Sequence, residues 1–438
     1  MASAFHGPID AHNAIVGPHC GSGGVMNFNF GSGEQKHKPE AFSTVPFAPD
    51  PDFVDRPEIV TWLHNKCAGA GARAALVGLG GVGKSQLALQ YVHTIRHARP
   101  QTFVFWVHAS TRARFEEAYK DIADRLQLPE RSDPETDVLR LVSNWLLDEA
   151  NGQWVMVVDS ADDPEAFCQR DEADVGTQTL LATYLPQSVN GAILVTSRSK
   201  DAAFRLVGGY NNMREVLAMT EGEGLQLLHN KLRHPPAEDS ALELLRELDH
   251  IPLAITQAAA YIGRRARMTV TRYVEELRKS SEKRELLLRW DAGDLRRDAS
   301  ASNSIVTTWM MSFDQIRKER RSAVELLSLM SFVTQQGIPE STLRRYRKHL
   351  VSAPGARDEK EQEETESAFD EDLDTLQAYS LVSMTADTDT CEMHASVQFC
   401  TRVWLASLGN AEQWEKTFLM LVAKELPSEE YENSAKCP

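Results

Sequence analysis

Residues Gly78 to Ser85 read GLGGVGKS, which fits the spacing GxxxxGK[ST]. Glycines at that spacing let a backbone curl so that several N–H groups converge on an anion. The lysine after the last glycine reaches β- and γ-phosphates, and the next hydroxyl suits Mg²⁺. Gly78, Gly80, Gly81, Val82, Gly83, Lys84, Ser85 and Gln86 therefore form a candidate nucleotide-phosphate site. Lys84 is the expected phosphate ligand, and Ser85 an expected metal ligand.

Asp159 closes the apolar run WVMVV. A carboxylate at the C-terminal end of a parallel strand faces the ligand crevice, and there it suits the holding of Mg²⁺ with Ser85. Ser160 stands where a second acid would orient an attacking water. That leaves Asp162 or Asp163 as substitutes and predicts slow hydrolysis at most. Arg198 follows the run AILVTS and is placed to sense a γ-phosphate, in the manner of a sensor arginine or arginine finger.

These residues need a scaffold, and the pattern supplies one. AALVGLG (Ala74 to Gly80) reads as a strand, and KSQLALQYVHTI (Lys84 to Ile95) has helical spacing. Strand, glycine loop and helix is the context such a loop requires. FVFWVHA (Phe103 to Ala109), QWVMVVDSADD (Gln153 to Asp163) and GAILVTSRS (Gly191 to Ser199) are further strands, with REVL (Arg214 to Leu217) as a fifth. Near-continuous apolar strands alternating with helices such as Arg112 to Leu126 imply a parallel sheet covered on both faces.

After about Thr220 the pattern is helical to about residue 290, and a second helical module begins with Ser304 to Val333. DEKEQEETE (Asp358 to Glu366) reads as a solvated acidic loop. LDTLQAYSL, VSMT, CEMHASV and QFCTRVWLASL then give helix, strand, turn, strand and helix, a winged-helix arrangement. Residues 1 to 45 are rich in Gly and Asn and lack helical periodicity, so a disordered segment is expected there. Its GGVMNFNFGSG stretch has the Asn and Phe composition of a β-stacking segment. The expected divisions are 1–45, 46–219 (nucleotide binding), 220–300 (helical), 301–410 (winged helix) and 411–438 (helical tail).

These motifs, in this order, resemble the NB-ARC family of signal-transduction ATPases, and most of all the fungal NOD-like receptors. The fold implied is an α/β P-loop NTPase domain with helices on both faces of a parallel sheet. An all-α helical domain and a winged-helix domain follow it. FVDRPEI (Phe53 to Ile59) resembles the family motif that contacts adenine and ribose, with Asp55 in place of the usual glycine. The resemblance thereby implicates Phe53, Val54 and Arg56. IPLA (Ile251 to Ala254) is similar to the GLPLA motif, with His250 in place of its glycine, and carries Pro252 and Leu253 to the adenine. MHA (Met393 to Ala395) resembles the MHD motif, and carries His394 to the β-phosphate of ADP; Ala395 replaces its aspartate. The resemblance implies an ADP-bound resting state, exchange to ATP, self-oligomerisation, a downstream effector and a C-terminal repeat sensor. No repeats precede the final YENSAKCP.

Composition narrows the classes. Lys plus Arg is 47 and Asp plus Glu is 63, a net charge of −16 that disfavours coating nucleic acid or an anionic membrane. Cys20, Cys67, Cys168, Cys391, Cys400 and Cys437 form no CxxC pair and read as reduced thiols, as in the cytoplasm. No basic start precedes an apolar core at the N-terminus, so no secretory signal is expected. The longest apolar stretch, Ile251 to Ile262, is too short for a bilayer. Two other readings stay open: a winged-helix DNA-binding regulator using RRYRKH (Arg344 to His349), and an active ATP hydrolase.

Overall fold

A computed structural model describes residues 39–168, 180–290, 304–333, 338–351, 359–385 and 389–425. The β-stacking stretch, Cys20 and Cys437 lie outside them. Residues from Ala41 onward form one compact unit.

Five parallel strands make the central sheet: β1 Ala72–Val77, β2 Phe103–His108, β3 Trp154–Asp159, β4 Gly191–Ser197 and β5 Met213–Glu215. Their order is β2-β3-β4-β1-β5. Strand side chains alternate between faces, and both faces are apolar here. Leu76, Val157 and Leu194 join the core formed with helices Pro57–Cys67 and Lys84–Ala98. Val77, Val158 and Val195 join the core of helices Arg112–Arg125, Val138–Leu147 and Lys200–Val207. This is the doubly covered sheet that the strand composition predicts. The crossover in strand order puts β1 and its loop mid-sheet, between β4 and β5.

The expected disorder through residue 45 is overturned for its last residues. Thr44 N donates to Val104 O at 2.9 Å, Val104 N donates to Phe42 O at 3.0 Å, and Trp106 N donates to Thr44 Oγ1 at 2.8 Å. Phe42 stands edge-on to Phe103 and Phe105. β2 is an edge strand, and an open edge has unpaired backbone groups that a short segment can satisfy.

Helices Glu221–Lys231, Glu238–Glu247, Pro252–Gly263, Val270–Lys279 and Ser281–Arg289 follow the sheet. Beyond them, helices Ile305–Glu319 and Arg321–Met330 lead to a small antiparallel sheet. Its strands are β6 Ile338–Pro339, β7 Val382–Thr385 and β8 Thr390–Met393, in the order β6-β8-β7. β7 and β8 are the hairpin expected from VSMT and CEMH; β6 was not legible in two residues. The acidic stretch is a correction. It opens helix Glu359–Ala378 instead of forming a loop. Glu, Lys and Gln are good helix formers, and carboxylates in a first turn are favoured by the helix dipole. Helix Ala411–Glu425 packs back through Leu421, near Leu329 and Tyr346. One continuous apolar cluster runs from Leu76 through Trp309 to Trp404, so the sheet and the C-terminal elements share a core.

Candidate functional site

The glycine loop leaves β1 at the C-terminal end of the sheet, and helix Lys84–Ala98 starts where it ends. Lys84 is buried, and its Nζ donates to the Gly78 and Leu79 carbonyls at 2.6 and 2.9 Å. Burial pushes its ammonium down to about 8; Asp162 and Asp159 oppose the shift and Arg198 adds to it. Ser85 Oγ donates to Asp159 Oδ1 at 2.6 Å. Thr196 Oγ1, on the neighbouring strand, donates to the same oxygen at 2.6 Å and accepts from Ser160 N at 2.9 Å. His108 Nδ1 lies 3.9 Å from Asp159 Oδ2. Ser85 and Asp159, far apart in sequence, thus present two hard oxygen donors side by side, the donor type that Mg²⁺ takes.

Arg198 is held by several protein groups. Its Nε donates to Asp162 Oδ2 at 2.8 Å, and its backbone N donates to Asp162 Oδ1. Its Nη1 donates to Thr308 O at 2.8 Å and Ser312 Oγ at 3.0 Å. Arg198 therefore ties the end of β4 to helix Ile305–Glu319. Asp162, a suggested water-orienting substitute, is committed to that arginine. Ser160 adopts φ +62° and carries no acid.

The loop is also gripped from the C-terminal side. Trp309 Nε1 donates to Gly80 O at 2.9 Å, and Leu253 N donates to Gly81 O at 3.2 Å. A Cβ at Gly80 would lie 2.7 Å from Thr308 Cγ2 and 3.2 Å from the Trp309 ring, so only glycine admits this approach. Gly81, at φ +88°, packs against the Leu253 side chain. Trp309 belonged to no recognisable motif, and Thr196 lay in the AILVTS run without being assigned a role. Each touches the site across a long stretch of sequence, and only the tertiary structure joins them.

Of the residues implicated beside adenine, Phe53, Val54, Arg56 and Pro252 are brought together, while Leu253 lies outside the cleft lining, against Gly81. Phe53, Val54, Arg56, Val82, Gly83, Gln86 and Pro252 line one cleft. Arg56 is fixed there: Nη1 donates to Leu217 O at 3.0 Å, and Nε lies 3.4 Å from Glu223 Oε1. Asp55 is exposed. On the other side of Val82 is a cavity of about 490 Å³, lined by Leu79, Glu215, Asp249 and His394 among others. His394, at the end of β8, is exposed into it. Asp249 and His250 both adopt left-handed backbone, φ +48° and +54°, where glycine is the residue without strain. His250 Nδ1 is buried without a hydrogen-bond partner. Asp249 Oδ2 accepts from Ser396 N at 2.8 Å, at the start of helix Ala395–Ser407, whose own N-cap residue His394 makes no side-chain cap.

Residues 56–238 match the NB-ARC domain. The chain carries an NB-ARC domain. Residues 314–407 match a domain of unknown function, DUF7779. An NLR-like nucleotide-binding leucine-rich repeat protein of Hyaloscypha variabilis is 32% identical over 413 residues, 90% of this chain and 39% of that protein. The regulatory protein AfsR of Streptomyces griseus is 27% identical over 289 residues, 64% of this chain and 27% of that protein. The chain thus spans well under half the length of both relatives. In fold, a Walker-type ATPase of Pyrococcus abyssi superposes with a TM-score of 0.53 at 14% identity, covering 82% of this chain and 98% of that one. The NB-ARC domain is a P-loop fold, and its glycine loop implies nucleotide binding.

Three cations of the basic cluster after β6 are paired with carboxylates of the chain. Arg344 pairs with Glu340 and Asp370, Arg347 with Glu325 and Asp372, and Lys348 with Glu366. Phosphate contacts supply most DNA affinity, and these cations are already matched. Among the described residues no helix is long and apolar enough to cross a membrane, and no group of three or more His, Cys, Asp or Glu is placed to hold a metal. Cys67, Cys391 and Cys400 are free thiols, each pushed upward by burial.

Proposed function

We propose that this chain is an adenine-nucleotide switch: ADP holds a resting form, and exchange to ATP releases C-terminal elements for self-assembly in signalling. The observation that carries the reading is the double grip on the glycine loop. Gly80 and Gly81 are hydrogen-bonded by Trp309 and Leu253, residues from two separate C-terminal elements. Any rearrangement of the loop around phosphates is therefore felt by both. A ligand with different affinity for two arrangements shifts their populations.

In this reading adenine and ribose occupy the cleft of Phe53, Val54, Arg56, Gln86 and Pro252. Lys84 and the loop N–H groups take the phosphates. Ser85 and Asp159 hold Mg²⁺, which neutralises phosphate charge when bound. His394 faces the phosphate side from the 490 Å³ cavity. The β6–β8 sheet and its helices act as the winged-helix module, within the proposed divisions 46–219, 220–300 and 301–410. The absence of an acid at position 160 and the commitment of Asp162 to Arg198 favour slow hydrolysis that resets the switch. A cytoplasmic setting agrees with the free, buried thiols.

The test is to purify the protein without added nucleotide, denature it, and identify what is released by ion-pair chromatography. Stoichiometric ADP from the parent and none from Lys84→Ala is the expected result. Absence of nucleotide from both, with no binding on addition, overturns the reading. Rapid turnover by the isolated chain would replace the switch with a hydrolase.

A further inference from the structure

A second cavity, of about 650 Å³, lies between helix Ser281–Arg289 and helix Ala395–Ser407. Four arginines line it, Arg246, Arg278, Arg284 and Arg402, against two carboxylates, Glu247 and Asp249. Both carboxylates are already engaged. Glu247 takes Arg278 Nε at 2.8 Å and Arg284 Nη1 at 3.0 Å, while Asp249 accepts from Ser396 N. Arg402 is left over. Its Nη1 donates to the Ser331 carbonyl, a neutral acceptor, and among the described residues no carboxylate pairs with it. A guanidinium has five donors, so most of those on Arg402 remain uncommitted. Arg284 lies over the Phe399 ring, 5.4 Å from its centroid, and its Nε is buried with no acceptor. Burial first, and then the Arg284 charge, push the Arg402 guanidinium downward. A partly buried cation such as Arg402, beside a like charge and without a counter-charge of its own, costs stability, and charges held at such cost cluster at functional sites.

We propose that this groove binds a small soluble polyphosphate, an anion of two or more linked phosphoryl groups, through Arg402 and Arg284. Guanidinium forks match phosphate oxygens bidentately, which a flexible ammonium does not. Arg402, which has no carboxylate partner, and Arg284, which shares Glu247 with Arg278, together offer two guanidinium groups to linked phosphoryl groups. The volume suits a small molecule lying in an open groove between two helices. Ser280 and Ser281, at the first turn of helix Ser281–Arg289, add hydroxyls at the rim. The site is separate from the glycine loop but shares a wall with its cavity, since Asp249 and Ala395 line both. A polyphosphate bound there bridges the helical region and the helix that follows His394.

The test uses inorganic tripolyphosphate and calorimetry on the Lys84→Ala protein, so that the glycine loop does not contribute. One equivalent is expected to bind, and Arg402→Gln in that background is expected to weaken binding at least tenfold, with cooperative thermal unfolding retained. Ser281→Glu, which places a carboxylate at an exposed rim position, is expected to weaken it as well, and serves if the Arg402 variant fails to fold. No binding to Lys84→Ala, or unchanged binding in Arg402→Gln or Ser281→Glu, overturns the proposal. Equal affinity for citrate overturns its phosphate assignment. None of these results depends on which nucleotide the loop holds.

Discussion

Between β1 and β5 the interior is apolar and charge is confined to the strand ends. β3 is buried along its whole length, and its only charged residue is the last, Asp159. From Ile305 onward the design differs. Asp372 is fully buried, and Arg320, Arg347 and Ser322 converge on it. Glu371, Asp370 and Glu366 extend the network to Arg320, Arg344 and Lys348. An apolar sheet gains stability with area buried and has no directional requirement. A buried ion network is worth little over an apolar core, yet breaking it by removing one partner is costly. One region is thus a rigid platform, and the other is held in one arrangement by contacts specific to that arrangement. That division suits a two-state element.

The sharpest way to break this comparison is at the junction. Trp309 is fully buried where the C-terminal region meets the glycine loop. Trp309→Ala is expected to cost about 3–5 kcal/mol, the range for deleting a buried aromatic, measured by urea unfolding. If the grip on Gly80 couples the regions, bound nucleotide also leaves faster. Trp309→Phe keeps most of the volume and loses the hydrogen bond, so it separates the two effects. Unfolding loss in both variants with unchanged nucleotide release would make Trp309 a packing residue only.

Asp372→Ala tests the ion network alone. It leaves Arg320 with Glu371 and Arg347 with Glu325 but removes the buried carboxylate that joins them, and a loss of at most about 3 kcal/mol is expected. The loss falls within the C-terminal region, so hydrogen exchange is expected to rise in helices Arg321–Met330 and Glu359–Ala378 while β1 to β4 stay protected. Uniform loss of protection across the sheet would show that the two regions unfold together.

The same contrast decides what the sequence revealed. The glycine loop, Asp159 and the strands were legible, because spacing and apolar runs carry local signals. The grouping of Phe53, Val54, Arg56 and Pro252 was legible only by resemblance, and they line one cleft, with Leu253 outside its lining. Arg198 was placed on the right strand end, but its intrachain partners were not foreseen. Its partners Asp162, Thr308 and Ser312 are fixed by tertiary packing. Trp309 looked like one more apolar position in a helix, and nothing local marks which loop it meets. The acidic run was misread because charge pattern speaks of solvent exposure, whereas Glu-rich sequence equally favours helix. Asp249 went unnoticed beside the more conspicuous His250–Ile251–Pro252.

Asp249 offers the smallest and most pointed test. The MHD-like position that holds aspartate in the family is Ala395 here, and His394 does not cap its own helix. Asp249 caps that helix from the region before it, accepting from Ser396 N. Losing a side-chain cap costs about 1 kcal/mol. Asp249→Ala is therefore expected to lower stability by about that amount, and Asp249→Asn, whose amide oxygen still accepts, by less. Because the bond spans two regions, Asp249→Ala is also expected to speed nucleotide release. Adding the family residue back as Ala395→Asp in the Asp249→Ala protein is expected to restore part of the stability by capping from within. If that second change restores nothing, Asp249 acts through the strained turn it shares with His250 and not through the cap.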